Sequence, residues 1–365
     1  PPPPLPAAFA GPSIVTFDGD QTLYTDGANF EKNPRLALSI SLLLEAGVAI
    51  AVVTAAGYEY DVDKYTLRIN GLLSFFRERK ELTPEMAGNF YMFGGECNYL
   101  LRLNREYELE PVQEKGAGGW MTSTRHLPDS PGNWKESSVT ALLDVASSSL
   151  SSSLAEMNIR GRVIRKKRAV GLIPLPGSTI PRESLDECVL RVQSALHQGS
   201  ESFEGLPYCA FNGGRDAWVD VGNKRVGVSV LQAYLGLPAA ECLHVGDQFL
   251  NTGNDYAARG CSPCAWITSP DETGYILRKI LKYAGDIDVD PRPAEGDGQG
   301  GQKKVPSLED MTRRSSLDAT DPSVTADVAT TPRSKEPGKV RMVMDVYTGE
   351  MLQAGVGSEK KKQKT

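Results

Sequence analysis

The sequence predicts an α/β fold built on a parallel sheet with helices on both faces. Short, continuous apolar runs alternate with amphipathic helical patterns, and polar residues gather just after those runs. Strands covered on both faces lose the in–out alternation of half-exposed strands, and parallel neighbours need a crossover that a helix supplies.

"SIVTF" (13–17) is a short buried-type strand. Pro34 to Ala46 reads as a helix, with Leu36, Ile40, Leu43 and Leu44 on one face and Gly47 as its stop. "VAIAVVT" (48–54) is a second strand. Far downstream come "AWVDV" (217–221), a helix over Val226–Tyr234, the strand "CLHVGD" (242–247) and a helix near Asp255–Arg259. "PCAWI" (263–267) is a last strand before a helix over Thr273–Tyr283. In between, helices are predicted over Lys64–Arg79, Lys135–Leu154 and Arg182–His197, with strand-like "NFYMFGG" and "AVGLIPL". Residues 58–207 therefore read as an α/β insertion.

Composition divides the 365-residue chain further. Residues 1–12 form a proline-rich leader. From about Gly285 the sequence turns to Pro, Gly, Ser, Thr and charge, which buries too little apolar surface to offset chain entropy; residues 285–365 are expected to be mostly disordered. Within this tail, "KVRMVMDVYTGEML" is apolar enough to dock as a late strand, and "RRSSLD" (313–318) matches a basophilic kinase site. The chain begins at Pro1 rather than methionine, which predicts a fragment or a processed form. A net charge of −6 argues against a general nucleic-acid binder. No apolar run approaches the length of a membrane span, and no signal peptide is evident. The six scattered cysteines suit reduced thiols and a cytoplasmic setting. Cys261 and Cys264 form a CxxC without a second pair, so small strand side chains are expected there rather than a zinc site.

The polar residues follow the strands. Asp18 and Asp20 come after the first and Thr54 ends the second. Lys224 precedes a helix, Asp247 ends "CLHVGD", and Asp255 lies a little beyond. Open α/β sheets bind ligands beyond the carboxyl ends of their strands. Two aspartates one residue apart repel unless a cation sits between them, and Mg²⁺ prefers carboxylate, water and phosphate oxygens. One aspartate can attack phosphorus; the other can protonate the leaving oxygen and then activate water. The hydroxyl and the ammonium can hold phosphoryl oxygens.

"DGDQT" (18–22), "VVTAAG" (52–57), Lys224 and "GDQFLNTGND" (246–255) resemble the four motifs of the haloacid-dehalogenase-like phosphohydrolases. "FDGDQTLYTDG", "TAAGY", "GGRDAWVDVGNKRVGV" and "HVGDQFLNTGNDYAARGCSPCAWITSPDET" are similar to one family among them, the inosine-monophosphate-specific 5′-nucleotidases. The likeness runs from about Ser13 to Tyr283. It departs at Gln21, where the superfamily often has Gly, and most of that family's N-terminal region is absent. The resemblance implies a haloacid-dehalogenase-like Rossmannoid core (13–57 and 208–284) with the insertion as a cap between the second and third motifs. It makes Asp18 the nucleophile and Asp20 the acid/base. Asp18, Asp20 (through its carbonyl) and Asp247 would hold Mg²⁺, and Asp20, Asp26, Thr54, Asp216 and Lys224 would contact the nucleotide. Asp255 would support the site by orienting Lys224 or a metal-bound water. ATP as an effector and a homo-oligomer, with a tetramer among its forms, are implied too.

Each role has a plainer structural alternative. Asp18, Asp20, Asp26 and Asp216 suit turns or caps, Thr54 a strand end, Lys224 a solvated surface and Asp255 a helix N-terminus. The company of all the motifs favours the functional roles. "RVIRKKRAVGLIP" places Arg165, Lys166, Lys167 and Arg168 in the insertion, where a solvated edge is favoured over attraction of a nucleotide. Trp120, Trp134 and His244 are expected to be structural. The motifs point to Mg²⁺-dependent phosphate-ester hydrolysis with no nucleic-acid or membrane partner, and the resemblance alone implies that the substrate is inosine monophosphate (IMP), cleaved to inosine and phosphate. The rivals are a capped sugar-phosphate phosphatase or phosphomutase, and a catalytically silent nucleotide-binding regulator.

Overall fold

The computed structural model describes residues 9–31, 33–287 and 289, and the backbone of Met342–Met344 and Met351–Gln353. The chain divides into two units, with residues up to Val289 in the first. The second contributes the two short strands, which pair antiparallel and come from the apolar tail stretch. Most of the leader, the remainder of the tail and "RRSSLD" lie outside the described residues.

In the first unit, β1 (Ile14–Phe17) leads to α1 (Pro34–Glu45), β2 (Ala49–Val53), α2 (Val62–Glu78) and the single turn α3 (Pro84–Ala87). Three strands follow: β3 (Phe90–Gly94), β4 (Tyr99–Leu103) and β5 (Leu109–Pro111). Then come α4 (Trp120–Ser123), α5 (Glu136–Glu156), β6 (Gly161–Arg165), β7 (Ala169–Pro174), α6 (Arg182–Gln198), β8 (Tyr208–Asn212) and β9 (Ala217–Val221). The unit closes with α7 (Lys224–Leu235), β10 (Cys242–Gly246), β11 (Cys264–Trp266) and α8 (Pro270–Gly285).

The large sheet has the order β11-β10-β1-β2-β3-β4-β5. Its first five strands are parallel, and β4 and β5 extend it antiparallel. Phe17 pairs with both Val52 and Val245, so β1, β2 and β10 end level. That register brings Asp18, Thr54 and Asp247 to one edge. Ala49, Ala51 and Val53 pack against Val226, Val230 and Leu231 of α7 and against Trp120. Ile50 and Val52 must point to the opposite face, because side chains alternate along a strand. α1 packs against both α8 and α2.

The small sheet has the order β6-β7-β9-β8, entirely antiparallel, with α5 and α6 packed on it. Ala217, Val219 and Val221 of β9 join Leu142, Leu172 and Val189 in its core.

These sheets redraw the expected boundaries. "NFYMFGG", expected within the insertion, supplies β3 of the large sheet; "AWVDV", expected in the parallel sheet, is β9 of the small one. A five-residue apolar run shows that a strand is buried but not which strand it pairs with. The helix expected near Asp255–Arg259 is a 3₁₀ turn, Tyr256–Gly260.

Local sequence accounts for the elements that carry the site. Asn33 caps α1 through the Leu36 N–H at 3.1 Å, with Pro34 at the first turn. Asn223 caps α7 through the Val226 N–H, also at 3.1 Å. Its first residue, Lys224, thereby starts a helix directly beneath the site. α2 breaks at Ile69 (φ −122°, ψ 19°). There the Arg68 carbonyl accepts from Phe30 N–H and the Phe30 carbonyl accepts from Gly71 N–H, both at 2.8 Å, so a loop is inserted into the helix ladder. Gly71 permits it: a Cβ there would overlap the Glu31 carbonyl oxygen.

Candidate active site

A cleft of about 1310 Å³ runs between the carboxyl edge of the large sheet and one face of the small sheet. At its floor the buried Lys224 ammonium lies 2.7 Å from Asp18 Oδ1 and 2.6 Å from Asp255 Oδ1. Burial alone would lower the Lys224 pKa, but the two carboxylates raise it above the usual lysine range. Asp255 accepts three contacts. Oδ1 takes Lys224 and His244 Nε2 (2.9 Å), and Oδ2 takes the Gln248 N–H (2.9 Å). Burial pushes Asp255 up, yet the Lys224 charge and the His244 hydrogen bond outweigh it and hold the carboxyl below the ordinary range. His244, fully buried, reaches Thr16 Oγ1 with Nδ1 at 2.8 Å and is held neutral chiefly by burial. It serves as structural support, as expected from its place in β10.

Asp18, Asp247 and Asp255 each bring a carboxylate oxygen within 4.8 Å of one another. Burial pushes Asp18 up to about 7, with Lys224 drawing it down and Asp255 pushing it up. Burial and the neighbouring Asp18 push Asp247 up to about 8. Asp247 Oδ1 is buried without a partner among the described residues. Carboxylates crowded in this way, one with an orphaned oxygen, fit a divalent cation.

Asp20 takes a different position. Arg68 donates to both its oxygens at 2.8 Å and Gly27 N–H donates at 3.0 Å. Arg68 also donates to the Ala28 carbonyl at 2.8 Å and lies over Tyr24, 4.8 Å from the ring centroid. Thr54 is buried, and its hydroxyl accepts from the Ala56 N–H at 3.1 Å. Asp26 faces Arg215 at 3.4 Å. Asp216 is buried just before β9, where burial pushes it up to about 6 and a hydrogen bond from Trp218 draws it back. The structure thus gathers Asp18, Thr54, Lys224, Asp247 and Asp255 at the floor, with Asp20, Asp26 and Asp216 along the walls.

Two residues escaped the sequence reading. Arg68 falls on the apolar stripe of α2, three residues after Tyr65 and four before Leu72, and a charge on such a stripe needs a buried partner. Asp220 lies two residues beyond Trp218, on the same face of β9. The basic run is divided. Arg165 pairs with Asp144 (2.6 Å), Lys167 with Glu59 (3.6 Å) and Arg168 with Glu136 (2.6 Å). Lys166 instead lies over the cleft aromatics Trp218 and Tyr58, 4.7 and 5.8 Å from their centroids. Trp120 is core, as expected, edge-on to Phe93; Trp134 packs partly buried beside it.

A sequence model of the IMP-specific 5′-nucleotidases matches residues 8–277. The chain belongs to this family. Among similar proteins named IMP-specific 5′-nucleotidase 1, that of Yarrowia lipolytica is 37% identical over 273 residues, covering 74% of this chain and 63% of the relative. That of Aspergillus fumigatus is 41% identical over 272 residues, covering 74% and 58%. The chain therefore spans less than two thirds of these relatives' length. An IMP-bound mutant of the Plasmodium falciparum IMP-nucleotidase superposes with a TM-score of 0.67 at 36% identity, covering 74% of this chain and 67% of that one. An ATP-bound form of the same enzyme gives 0.65, covering 74% and 60%. Family membership agrees with the α/β fold and its mostly parallel central sheet.

Proposed function

We propose that this chain is a Mg²⁺-dependent 5′-nucleotidase that hydrolyses IMP to inosine and phosphate through an aspartyl-phosphate. The observation that carries the reading is the fully buried Lys224, which bridges Asp18 and Asp255 beside Asp247 at the carboxyl edge of a parallel sheet. An ammonium so placed aligns the Asp18 carboxylate and meets the charge that develops on a transferring phosphoryl group.

Asp18 attacks phosphorus as the P–O5′ bond breaks, and the inosine oxygen takes a proton from Asp20. Asp20 then removes a proton from water. The water oxygen attacks phosphorus, releasing phosphate and restoring Asp18. Arg68, which donates to both Asp20 oxygens, fixes the orientation of that carboxyl. Thr54 and Lys224 hold phosphoryl oxygens; Asp26 and Asp216 contact the nucleotide. Asp18, Asp247 and the Asp20 carbonyl would hold Mg²⁺, whose charge offsets the repulsion between carboxylates and phosphate. Asp255, with its oxygens already engaged, orients Lys224.

The small sheet, with α5 and α6, serves as a cap that excludes water and selects substrate. ATP as an effector, a homo-oligomeric state and a cytoplasmic setting belong to the same proposal. They are supported by the family, by the ATP-bound relative and by six free cysteines. Among the described residues no helix is long and apolar enough to cross a membrane.

The test is phosphate release across IMP, GMP, AMP, ribose 5-phosphate and sucrose 6-phosphate, before and after chelation with EDTA. Preference for IMP, abolished by EDTA and restored by Mg²⁺, is the expected result. A preference for a sugar phosphate, or full activity after exhaustive chelation, overturns it.

A further inference from the structure

The turn between β3 and β4 brings one more carboxyl to the motifs. Gly95 and Glu96 are both left-handed (φ 57° and 64°), a conformation that costs the side chain at the second position. The Glu96 N–H donates to the Thr54 carbonyl at 2.8 Å, and the Gly95 N–H donates to the Ala56 carbonyl at 3.0 Å. The turn is thereby stitched to the segment that ends β2. On the other side, the Glu96 carbonyl occupies the space of a side chain on Gly227, in the first turn of α7, where a Cβ would collide with it. The backbone of Glu96 thus touches the segments that deliver Thr54 and Lys224.

Its side chain reaches the segment that delivers Asp255. Asn254, 5% exposed, lines the cleft immediately before Asp255. Glu96 stands behind it, fully buried, and its Oε1 accepts from Asn254 Nδ2 at 3.1 Å. Among the described residues Glu96 Oε2 and Asn254 Oδ1 have no hydrogen-bond partner. The amide nitrogen carries two N–H bonds, and only one is engaged there. Burial pushes the Glu96 carboxyl well above the usual range, with Lys224 drawing it down. A buried carboxyl with an unmatched oxygen, on left-handed backbone, is a costly way to fill space that an apolar side chain could fill.

We infer that Glu96 is a positioning residue for phosphoryl transfer, which fixes the Asn254 amide at the cleft floor so that its free N–H meets a phosphoryl oxygen beside Lys224. Without an acceptor behind it, the amide can turn its carbonyl oxygen towards the cleft, where it would repel that phosphoryl oxygen. Glu96 itself does not touch substrate. The inference rests on the nucleotidase reading and adds to it a residue from outside the four motifs.

The experiment measures kcat and KM for IMP with Mg²⁺ in wild type, Glu96→Gln, Glu96→Asp, Asn254→Ala and the double variant Glu96→Asp with Asn254→Ala. Gln keeps an acceptor at the same reach; Asp keeps the carboxyl but withdraws it by a methylene. We expect Glu96→Gln to stay within about threefold of wild type, and Glu96→Asp to lose about tenfold or more in kcat with little change in KM. In the Asn254→Ala background, Glu96→Asp should cost no more than about twofold, because the two residues act as one unit. A residue needed only as a buried carboxyl would favour Asp over Gln. An equal or reversed ranking, or independent losses in the double variant, overturns the inference. NMR of the Asn254 side-chain amide in the unaltered protein gives a reading that no folding defect can affect. One amide proton should be protected from exchange, and the other should shift when inorganic phosphate binds with Mg²⁺. Free exchange of both protons, or no response to phosphate, also overturns the inference. Absence of any IMP hydrolysis by wild type overturns the nucleotidase reading itself, and the amide signals still report on the pairing of Glu96 with Asn254.

Discussion

The two sheets deliver their polar groups to one cleft by different means. The parallel sheet uses its edge: Asp18, Thr54 and Asp247 leave three level strands, and Lys224 begins a helix beneath them. The antiparallel sheet uses its face, where Trp218 and Asp220 alternate with core residues along β9 and Asp216 stands just before it. Groups at an edge converge within a few ångströms, which suits a reaction at one phosphorus atom. Groups spaced along a face lie two residues apart, roughly 6.6–6.8 Å per step, and suit the length of a nucleotide. Under the proposed function, chemistry at the edge and recognition on the face can therefore vary independently.

The strongest way to break this division is at the nucleophile. Asp18→Asn keeps the shape and should lower phosphate release by about a thousandfold or more while circular dichroism stays native. Near-normal turnover in a verified, undeamidated variant would remove the edge from the chemistry. Lys224→Met tests whether the edge is also a structural keystone. Removing the ammonium leaves Asp18 and Asp255 buried without their shared partner, and urea unfolding should show a loss of about 3–5 kcal/mol.

Gly71→Ala acts from further away. Its Cβ would push the Phe30–Glu31 loop out of α2 and shift Arg68 away from Asp20. A stability loss of about 1–3 kcal/mol is expected, together with a fall in kcat; unchanged kcat would detach Arg68 from the reaction. Gln21 sharpens the comparison in the opposite direction. It stands at φ 56°, a left-handed conformation that costs a side chain roughly 1–2 kcal/mol. Gln21→Gly should raise stability by about 0.5–1 kcal/mol after glycine's greater unfolded-state entropy is counted, measured by urea midpoint. The smallest effect belongs to the outer rim of the small sheet. Arg165→Ala breaks an ion pair with the exposed Asp144 and should change stability by no more than about 1 kcal/mol, less at high salt.

Much of the edge was legible in sequence, because each of its groups follows a continuous apolar run and the spacing within a motif is local. The same locality governs the caps seen in the structure: Asn33 with Pro34, and Gly236 in the left-handed conformation after α7. Asp255 was expected to orient Lys224 or a metal-bound water, and its Oδ1 lies 2.6 Å from the Lys224 ammonium. The basic run was half legible. Arg165, Lys167 and Arg168 carry the carboxylate partners expected of a surface face, while Lys166 lies over the cleft aromatics.

The sequence by itself determined most of the strands and helices that carry the site, where its carboxylates, hydroxyl and ammonium collect, and which family the chain resembles. These depend on periodicity and short motifs, where the interacting residues are close in the chain. Tertiary structure alone decided that β3 joins the parallel sheet and β9 the antiparallel one, because strand partners are chosen by hydrogen bonds between distant segments. It also decided that Arg68, 48 residues from Asp20, grips that carboxylate through a helix opened at Gly71. A buried charge reveals its purpose only once its partner is known, and no local pattern specifies a partner so far along the chain.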